Sequence, residues 1–273
     1  MAGSNGQEHR EMLELNQKQT SYYEAGADRS AGLPTRLWTI IRDVMEQVRV
    51  AINVDADLYT KHWDWLGDLS DKRVLDLGCY EGNPLSLQIA ERSASYLGID
   101  LSARAIGILD EKLSHIEHAH AEVADFLSPD FIHEFDVIYA RSVAHHFKYF
   151  DAFLGILNQR LRPGGIVVTF DPLETSLPIK IARALYRPFQ TDAAWEWPFR
   201  RRNFYQIQDH FEIAEVFGIM GRAKWAVPLA LFGKKLAIRV GRRFHADDLV
   251  QSRQLGRGLW RCMAVSMCWR KRD

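Results

Sequence analysis

Two neighbouring histidines, His145 and His146, are the residues of this sequence best suited to acid–base chemistry. Imidazole titrates nearer to neutral pH than any other side chain, so it can take up or release a proton under ordinary conditions. The alternative is that one or both rings only pack. Asp100 ends an apolar run, where a carboxylate can accept hydrogen bonds from both hydroxyls of a ribose. These residue types together indicate a nucleoside close to a proton acceptor.

The stretch that must position such a nucleoside is a strand, a tight loop and a helix. A short, mainly apolar run that ends at Leu77 leads into Gly78 and Gly82, and Pro84 then opens a helix, as proline is tolerated in a first helical turn. The glycines let the backbone pass close to a ligand, and the first N–H groups of the helix point towards it. The spacing is neither the Gly-x-Gly-x-x-Gly of dinucleotide sites nor a P-loop. It therefore predicts a different nucleoside, with a nicotinamide-dependent oxidoreductase as a distant alternative.

Val74 to Gly82 resembles the first motif of class I S-adenosylmethionine-dependent methyltransferases, which usually reads Asp-x-Gly-x-Gly-x-Gly. Tyr80 replaces the middle glycine, so we expect an ordinary backbone conformation at that position. The resemblance covers about residues 70–172 and includes Leu-Arg-Pro-Gly-Gly before the fifth strand. It implies a Rossmann-like α/β fold with a seven-stranded, mostly parallel sheet, an N-terminal helical cap and a C-terminal insertion. It also implies S-adenosylmethionine as cofactor and direct transfer of its methyl group.

The resemblance assigns cofactor contacts to the glycine loop and to the residues that end each strand. Asp100 would bind the ribose, Asp125 the adenine amino group, and Phe126 would pack on the adenine ring. An N-terminal helix that ends in two tyrosines would cap the cofactor, although these tyrosines could equally pack on the sheet. The implied cofactor-binding residues are Tyr22, Tyr23, Asp76, Gly78, Gly82, Asp100, Leu101, Asp125, Phe126 and Arg141.

The acceptor side is expected after the fifth strand, where this family commonly carries an insertion. An aromatic loop there offers Trp195, Trp197 and Phe199 as substrate-lining residues, with simple loop packing as the alternative. The Asn/Asp-Pro-Pro-aromatic motif of enzymes that methylate nucleic-acid bases is missing, so a small-molecule acceptor is predicted and a nucleic-acid partner is not. A non-catalytic cofactor-binding protein remains an alternative function. The nature of the methylated atom and the oligomeric state stay open.

The resemblance divides the chain into three parts. Residues 1–69 would form the helical cap or lid, 70–172 the cofactor-binding core, and 173–273 the acceptor-side insertion with the last strands of the same domain. An amphipathic helix is predicted over 37–48 from its apolar spacing. Residues 259–269 are predicted to form the last strand, antiparallel at the edge of the sheet.

Composition adds a location and a second partner. The 273 residues have no net charge, no apolar run long enough to span a bilayer and three cysteines without metal-ligand spacing, so we expect a cytoplasmic protein without a metal. From Lys234 onwards, eleven basic residues face three acidic ones, a net charge of +8. The apolar and basic segment 225–240 could lie on an anionic membrane, and the acceptor could be an amphiphile. A solvated basic face, or packing on the protein's own core, is the alternative.

Overall fold

The computed structural model describes residues 2–24, 33–190 and 193–272, with side chains described for 10–21, 36–190 and 194–272. The strands are β1 (Arg73–Leu77), β2 (Ser95–Asp100), β3 (Ala119–Val123), β4 (Phe135–Arg141), β5 (Leu161–Pro172), β6 (Phe211–Ile219) and β7 (Ala264–Lys271). The α-helices are α1 (Ala2–Glu24), α2 (Leu33–Ala51), α3 (Val54–Leu66), α4 (Ser86–Arg92), α5 (Ala103–Leu113), α6 (Phe150–Gln159), α7 (Leu177–Tyr186), α8 (Arg201–His210), α9 (Ala226–Leu229) and α10 (Lys234–Gln251). Short 3₁₀ turns lie at Ala144–His146, Arg187–Phe189, Ala193–Trp195, Ala223–Trp225, Ala230–Phe232 and Leu259–Arg261.

The seven strands form one sheet in the order β3-β2-β1-β4-β5-β7-β6. The first five strands are mutually parallel, and β7 runs antiparallel to both of its neighbours. The predicted seven-stranded, mostly parallel sheet is therefore confirmed. Because parallel strands present their carboxyl ends at one edge, the residues that follow β1, β2, β3, β4 and β5 meet there.

The prediction that the last strand lies at the sheet edge is wrong, because β7 lies between β5 and β6. Val265, Met267 and Trp269 are fully buried on one face, and Ser266 and Cys268 are buried on the other. A strand that is covered on both faces and apolar along its length belongs inside a sheet. The edge strand is β6, which precedes β7 in the sequence.

Helices cover both faces of the sheet. One face is buried under α1, α6 and α8, whose side chains pack with those of alternate strand residues such as Leu75. The other face, which includes Val74, is buried under α2, α3, α4 and α5. Gly241 of α10 faces Ala226 and Ile52, so α10 joins this second layer through the helix before it. The sheet is thus the middle layer of three.

Helix α2 contains the predicted amphipathic stretch, but only its second half is covered. Val48 is 5% exposed and belongs to the core. Leu37 and Ile40, one and two turns from the start, are 60% and 59% exposed. The apolar stripe of α2 therefore begins on the surface and ends in the core.

A buried polar network fixes α3 against the sheet. His62 Nδ1 lies 2.8 Å from the Tyr139 hydroxyl, and its Nε2 lies 2.6 Å from Ser266 Oγ. Ser266 Oγ donates to the Thr169 carbonyl, so Nε2–H donates to Ser266 and Nδ1 accepts from Tyr139. Burial lowers the pKa of His62 to about 3, which keeps this ring neutral.

Candidate functional site

The loop after β1 takes its shape from Asp76. This carboxylate is fully buried and accepts hydrogen bonds from Asn83 Nδ2, from Ser86 Oγ at 2.6 Å and from the Tyr96 hydroxyl at 2.8 Å. Burial raises its pKa to about 6 in spite of these donors. Asp76 therefore ties the start of α4 and strand β2 to the loop from below. A direct contact with a cofactor stays a prediction.

The two glycines of the loop both have left-handed backbone conformations, with φ of 64° at Gly78 and 97° at Gly82. Gly78 also passes so close to Val143 that an added Cβ would lie 2.3 Å from the valine methyl group. The expectation of an ordinary conformation at Tyr80 is wrong, because its φ is 49°. The Tyr80 N–H donates to Asp100 Oδ2 at 3.0 Å, and this bond holds the residue in a left-handed conformation that a glycine would adopt without strain.

Asp100 lies at the end of β2, directly beside the loop. One of its carboxylate oxygens accepts the Tyr80 N–H and the other accepts the Ser102 N–H at 2.9 Å. Leu101, the next residue and another predicted cofactor contact, is half-buried. Burial raises the pKa of Asp100. Each carboxylate oxygen can accept a second hydrogen bond, so Asp100 retains the capacity to bind ribose hydroxyls as predicted.

Asp125 lies after β3 and is covered by α1. Asn16 Nδ2 donates to Asp125 Oδ1 at 2.8 Å, and the Leu127 N–H donates to the same oxygen at 2.9 Å. Phe126 is 3% exposed and packs on Phe131 and Phe153 in the core. The structure therefore places Asp125 at the edge of the sheet where the parallel strands end, and it turns the Phe126 ring into the core. The predicted adenine contact of Phe126 stays a prediction.

The segment after β4 leaves the sheet through a strained residue. The Arg141 guanidinium lies over the Phe170 ring at 5.3 Å. Ser142 has a φ of 60°, an uncommon value for a residue with a side chain, and its N–H donates to the Phe170 carbonyl at 2.7 Å. Strained backbone of this kind is frequent at functional sites. It sends the chain across the end of β5 towards the histidine pair.

His145 is paired with a buried acid that the sequence did not single out as a site residue. Asp171, at the end of β5, accepts both the backbone N–H of His145 at 3.1 Å and a hydrogen bond from its ring Nδ1 at 2.8 Å. Burial raises the pKa of Asp171 to about 7. Once this carboxyl is ionised it accepts the Nδ1 proton, so the imidazole presents Nε2 as its proton-accepting nitrogen. The sequence signal that could have identified Asp171 is an acid at the carboxyl end of a parallel strand.

His146 is held by the backbone of the acceptor-side loop. Its Nδ1 lies 2.9 Å from the Trp195 carbonyl oxygen, which can only accept, so Nδ1 carries the proton and Nε2 is the basic nitrogen. The two imidazole rings lie 4.2 Å apart. His146 is only half-buried, and its positive charge offsets a part of the rise that burial causes in the pKa of Asp100 and Asp171. This ring is therefore close enough to act electrostatically on both the acid predicted to bind ribose and the acid that supports His145.

The three aromatic residues predicted to line the acceptor site are placed differently from one another. Trp195 contributes its carbonyl to His146. Trp197 lines a cavity of about 390 Å³ between α6 and α8, together with Phe147. Phe199 is 1% exposed and packs against Phe150 in the core, so this ring anchors the loop.

A second cavity, of about 490 Å³, lies between α2, α7 and the turn before α9. Trp38 and Tyr186 stack across it with ring centroids 4.4 Å apart. Glu196 lines both cavities, directly after the residue whose carbonyl binds His146. The loop that binds His146 therefore also contributes to the wall of a largely apolar cavity.

Comparison with known proteins decides the family. A family model described as a methyltransferase domain matches residues 47–219, which is more than half of the chain. The chain belongs to the S-adenosylmethionine-dependent methyltransferases. The predicted family, fold and cofactor are confirmed.

Two curated methyltransferases illustrate the relationship. The ubiquinone biosynthesis O-methyltransferase of Aromatoleum aromaticum is 33% identical over 111 residues, which cover 38% of this chain and 47% of that protein. The fatty-acid O-methyltransferase of Mycolicibacterium smegmatis is 32% identical over 107 residues, 38% of each chain. This methyltransferase therefore spans less than half the length of these two relatives.

Solved methyltransferase structures share the fold at low sequence identity. Magnesium protoporphyrin IX methyltransferase from Synechocystis, with bound S-adenosylhomocysteine, has a TM-score of 0.59 at 14% identity, covering 93% of this chain and 99% of that one. Geranyl diphosphate C-methyltransferase from Streptomyces coelicolor has a TM-score of 0.55 at 14% identity, covering 80% and 81%. At these identities the likeness concerns the fold alone.

The methyltransferase fold suits its cofactor in this chain. The glycine loop, Asp100 and Asp125 converge at one edge of the sheet, and a Cβ at Gly78 of this loop would clash with Val143.

The predicted lid residues Tyr22 and Tyr23 lie outside the residues whose side chains the structure describes. Within the described residues, no helix of this methyltransferase is long and apolar enough to cross a bilayer.

Proposed function

We propose that this methyltransferase transfers a methyl group from S-adenosylmethionine to a small amphiphilic molecule, such as a lipid-linked or hydrophobic natural product or a glycan intermediate. The observation that carries the proposal is the placement of His146, which acts electrostatically on Asp100 and bonds to the Trp195 carbonyl. The next residue, Glu196, lines the apolar cavity. The cofactor supplies an electrophilic methyl group when bound. What the chain must add is an aligned acceptor, a dry site and a place for the acceptor's proton.

His146 is proposed as the proton acceptor. Its Nδ1–H is occupied by the Trp195 carbonyl, so an acceptor hydroxyl or amine can deliver its proton to Nε2 as the new bond to carbon forms. The resulting imidazolium lies within electrostatic reach of Asp100 and Asp171. Asp171 orients His145 beside it and acts as a positioning residue.

The amphiphilic nature of the acceptor rests on the cavity and on its relatives. The cavity between α2 and α7 is lined mainly by apolar and aromatic side chains. Two relatives are named for ubiquinone biosynthesis and for fatty acids, and a third for phthiotriol and phenolphthiotriol dimycocerosates. A protein substrate is the contrasting case, since a further relative is named for ribosomal protein L11.

The test is transfer of labelled methyl from S-adenosylmethionine to lipid extracts, compared between the parent and His146→Asn. The asparagine amide can still donate to the Trp195 carbonyl but cannot take a proton. We expect label in an extractable lipid and a loss of about 100-fold or more in the rate of the variant. Calorimetry should give equal cofactor affinity for both proteins. A folded parent that binds no S-adenosylmethionine, or a variant with the parent's rate, would contradict the proposal.

We further propose that the protein docks reversibly on anionic membranes through an apolar face around the mouth of this cavity. Leu231 and Phe232, in the turn after α9, are 87% and 79% exposed. Leu177 and Leu185 of α7 are 69% and 71% exposed, and Leu37 of α2 is 60% exposed. Each lies within about one helical turn of a residue that lines the cavity. Exposed apolar side chains grouped in this way mark interaction surfaces.

Basic residues supply the electrostatic half of this contact. Lys234, Lys235 and Arg239 begin α10 directly after the exposed turn, and a basic residue near an anionic bilayer contributes about 1 kcal/mol at low salt. Co-sedimentation with anionic vesicles should therefore capture the parent and lose Phe232→Glu. Ile132→Glu, at a 73% exposed position before β4, is the matched control and should sediment as the parent does. A parent that stays in the supernatant at low salt rules the contact out.

A further inference from the structure

The cavity between α2 and α7 contains a charge that its apolar walls do not explain. Its volume of about 490 Å³ lies within the range of small-molecule sites, about 300–1,000 Å³. The apolar part of its lining includes the aromatic rings of Trp38, Tyr186 and Trp225 and the side chain of Ala182. Arg183 projects from α7 into the same lining.

Arg183 is a cationic, half-buried side chain of this lining. Within the described residues it makes no hydrogen bond or ion pair, and burial lowers its pKa. Glu174 and Glu196 are the acids that act on it at a distance. The Glu174 carboxylate is bonded to Arg200 at 2.6 Å, and the Glu196 carboxylate accepts from Gln190 at 2.6 Å. A partly desolvated guanidinium in this state can gain hydrogen bonds and charge pairing from an anionic ligand.

The rest of the cavity has the same sign of charge. Arg42 and Lys224 also line it, so three cationic side chains face one anionic side chain, Glu196. Lys224 Nζ is held by the Gly221 and Arg261 carbonyl oxygens and lies at the wall. The cavity is therefore apolar in its body and positive in its polar part.

We infer that this cavity binds an anionic amphiphile, with its apolar body between the aromatic walls and its carboxylate or phosphate head group paired with Arg183. The planar guanidinium can meet either head group with two parallel hydrogen bonds. A charge-assisted bond contributes about 1.5–3 kcal/mol, which corresponds to about 10-fold to 150-fold in affinity. That the bound amphiphile is also the methyl acceptor rests on the proposed function, whereas the binding site itself does not.

The head-group preference can be measured without any methyl transfer. Calorimetry on the full chain with saturating S-adenosylhomocysteine would compare laurate, dodecyl phosphate and dodecanol, which share one chain length, below their micelle-forming concentrations. We expect at least one of the two anions to bind about 10-fold or more tightly than the alcohol. The ratio between laurate and dodecyl phosphate distinguishes a fatty-acid type of ligand from a phosphorylated lipid. Equal affinity for the three compounds, or no binding, overturns the inference.

Variants assign the preference to Arg183. Arg183→Met keeps the apolar contact and should bring the anions to the affinity of dodecanol. Lys180→Met removes the same charge from the exposed side of the same helix, and it should keep the parent's preference. If Lys180→Met loses the preference as Arg183→Met does, long-range charge is responsible and the site is wrong. Ala182→Trp, which fills the cavity, should weaken all three ligands. An absence of methyl transfer with intact head-group preference would contradict the proposed function alone.

Discussion

At the scale of single residues, Gly78 is fixed by two independent constraints. Its φ of 64° is unfavourable for any residue with a side chain, and an added Cβ would lie 2.3 Å from a methyl group of Val143. Tyr80, two residues later, shares the first constraint without the second, since its side chain is 46% exposed. The comparison explains why the family's middle glycine can be replaced here while the first remains.

Gly78→Ala should destabilise the protein and weaken cofactor binding. The left-handed conformation costs about 1–2 kcal/mol and overpacking against Val143 about 1–3 kcal/mol more. Gly67 has nearly the same φ, 62°, with open space around its Cα, so Gly67→Ala is the matched control for the first cost alone. Thermal unfolding and calorimetry with S-adenosylmethionine would measure both effects.

The two glycine variants separate the cost of the left-handed backbone conformation from the cost of the clash with Val143. We expect Gly67→Ala to lose stability by the smaller amount and to bind the cofactor as the parent does. Combining Gly78→Ala with Val143→Ala should recover part of the binding, because the clash is relieved and the strained φ remains. Equal losses in Gly78→Ala and Gly67→Ala would show that the approach of Val143 is unimportant.

At the scale of elements, helix α1 is the part of the N-terminal region that reaches the cofactor edge. Met12 is 2% exposed in the core, and Asn16, one turn further on, donates to Asp125. Glu11 is hydrogen-bonded to the Tyr149 hydroxyl, which fixes α1 beside the start of α6. Among its described side chains the helix is therefore attached by one buried apolar residue, Met12, and by polar residues such as the buried Asn16 and Gln19, an arrangement suited to reversible opening.

Met12→Asp should detach α1 without unfolding the sheet. Losing a buried methionine costs about 2–5 kcal/mol, and a buried charge adds to this. Hydrogen exchange should accelerate over residues 10–21 while β1 and β4 stay protected, and the affinity for S-adenosylmethionine should fall about 10-fold or more. Lys18→Asp places the same charge on the exposed side of α1 and serves as the control. Unchanged affinity with accelerated exchange would mean that α1 is not part of the cofactor site.

At the scale of the whole molecule, buried ionisable groups make stability depend on pH in opposite directions. Burial raises the pKa of Asp76 and Asp171 from 3.8 to about 6 and about 7. A carboxyl whose pKa is higher in the folded state favours folding below pH 4, and this contribution is lost as pH rises to 6 or 7. His62 acts oppositely, because its pKa is lowered to about 3 and its contribution is lost as pH falls below 6.5.

Asp171→Asn isolates one of these contributions. The asparagine carbonyl can still accept from the His145 backbone but never ionises, so the variant should gain stability relative to the parent as pH rises from about 4 to 7. One pKa unit corresponds to about 1.4 kcal/mol, which makes the change a few kcal/mol. Urea unfolding across this range would measure it. A difference between variant and parent that is constant with pH would show that Asp171 is not titrating in the folded state.

The sequence by itself determined the family, the fold class and the cofactor. The reason is that these are written in local patterns: the apolar runs that form β1, β2 and β4, the turn from Gly78 to Gly82 and the acids Asp100 and Asp125 at strand ends. Local patterns are readable because strand alternation, turn conformation and helix starts depend on neighbouring residues. The cofactor contacts assigned to these residues and the three-part division of the chain remain predictions.

Only the tertiary structure decided which distant residues meet. The pairing of His145 with Asp171 joins residues 26 apart, and the bond from His146 to Trp195 joins residues 49 apart. The inner position of β7 and the placement of Arg183 in a largely apolar cavity also depend on how helices and strands pack. A sequence records side-chain types in order along the chain, whereas burial, tautomer and pKa depend on what the fold brings within a few ångströms.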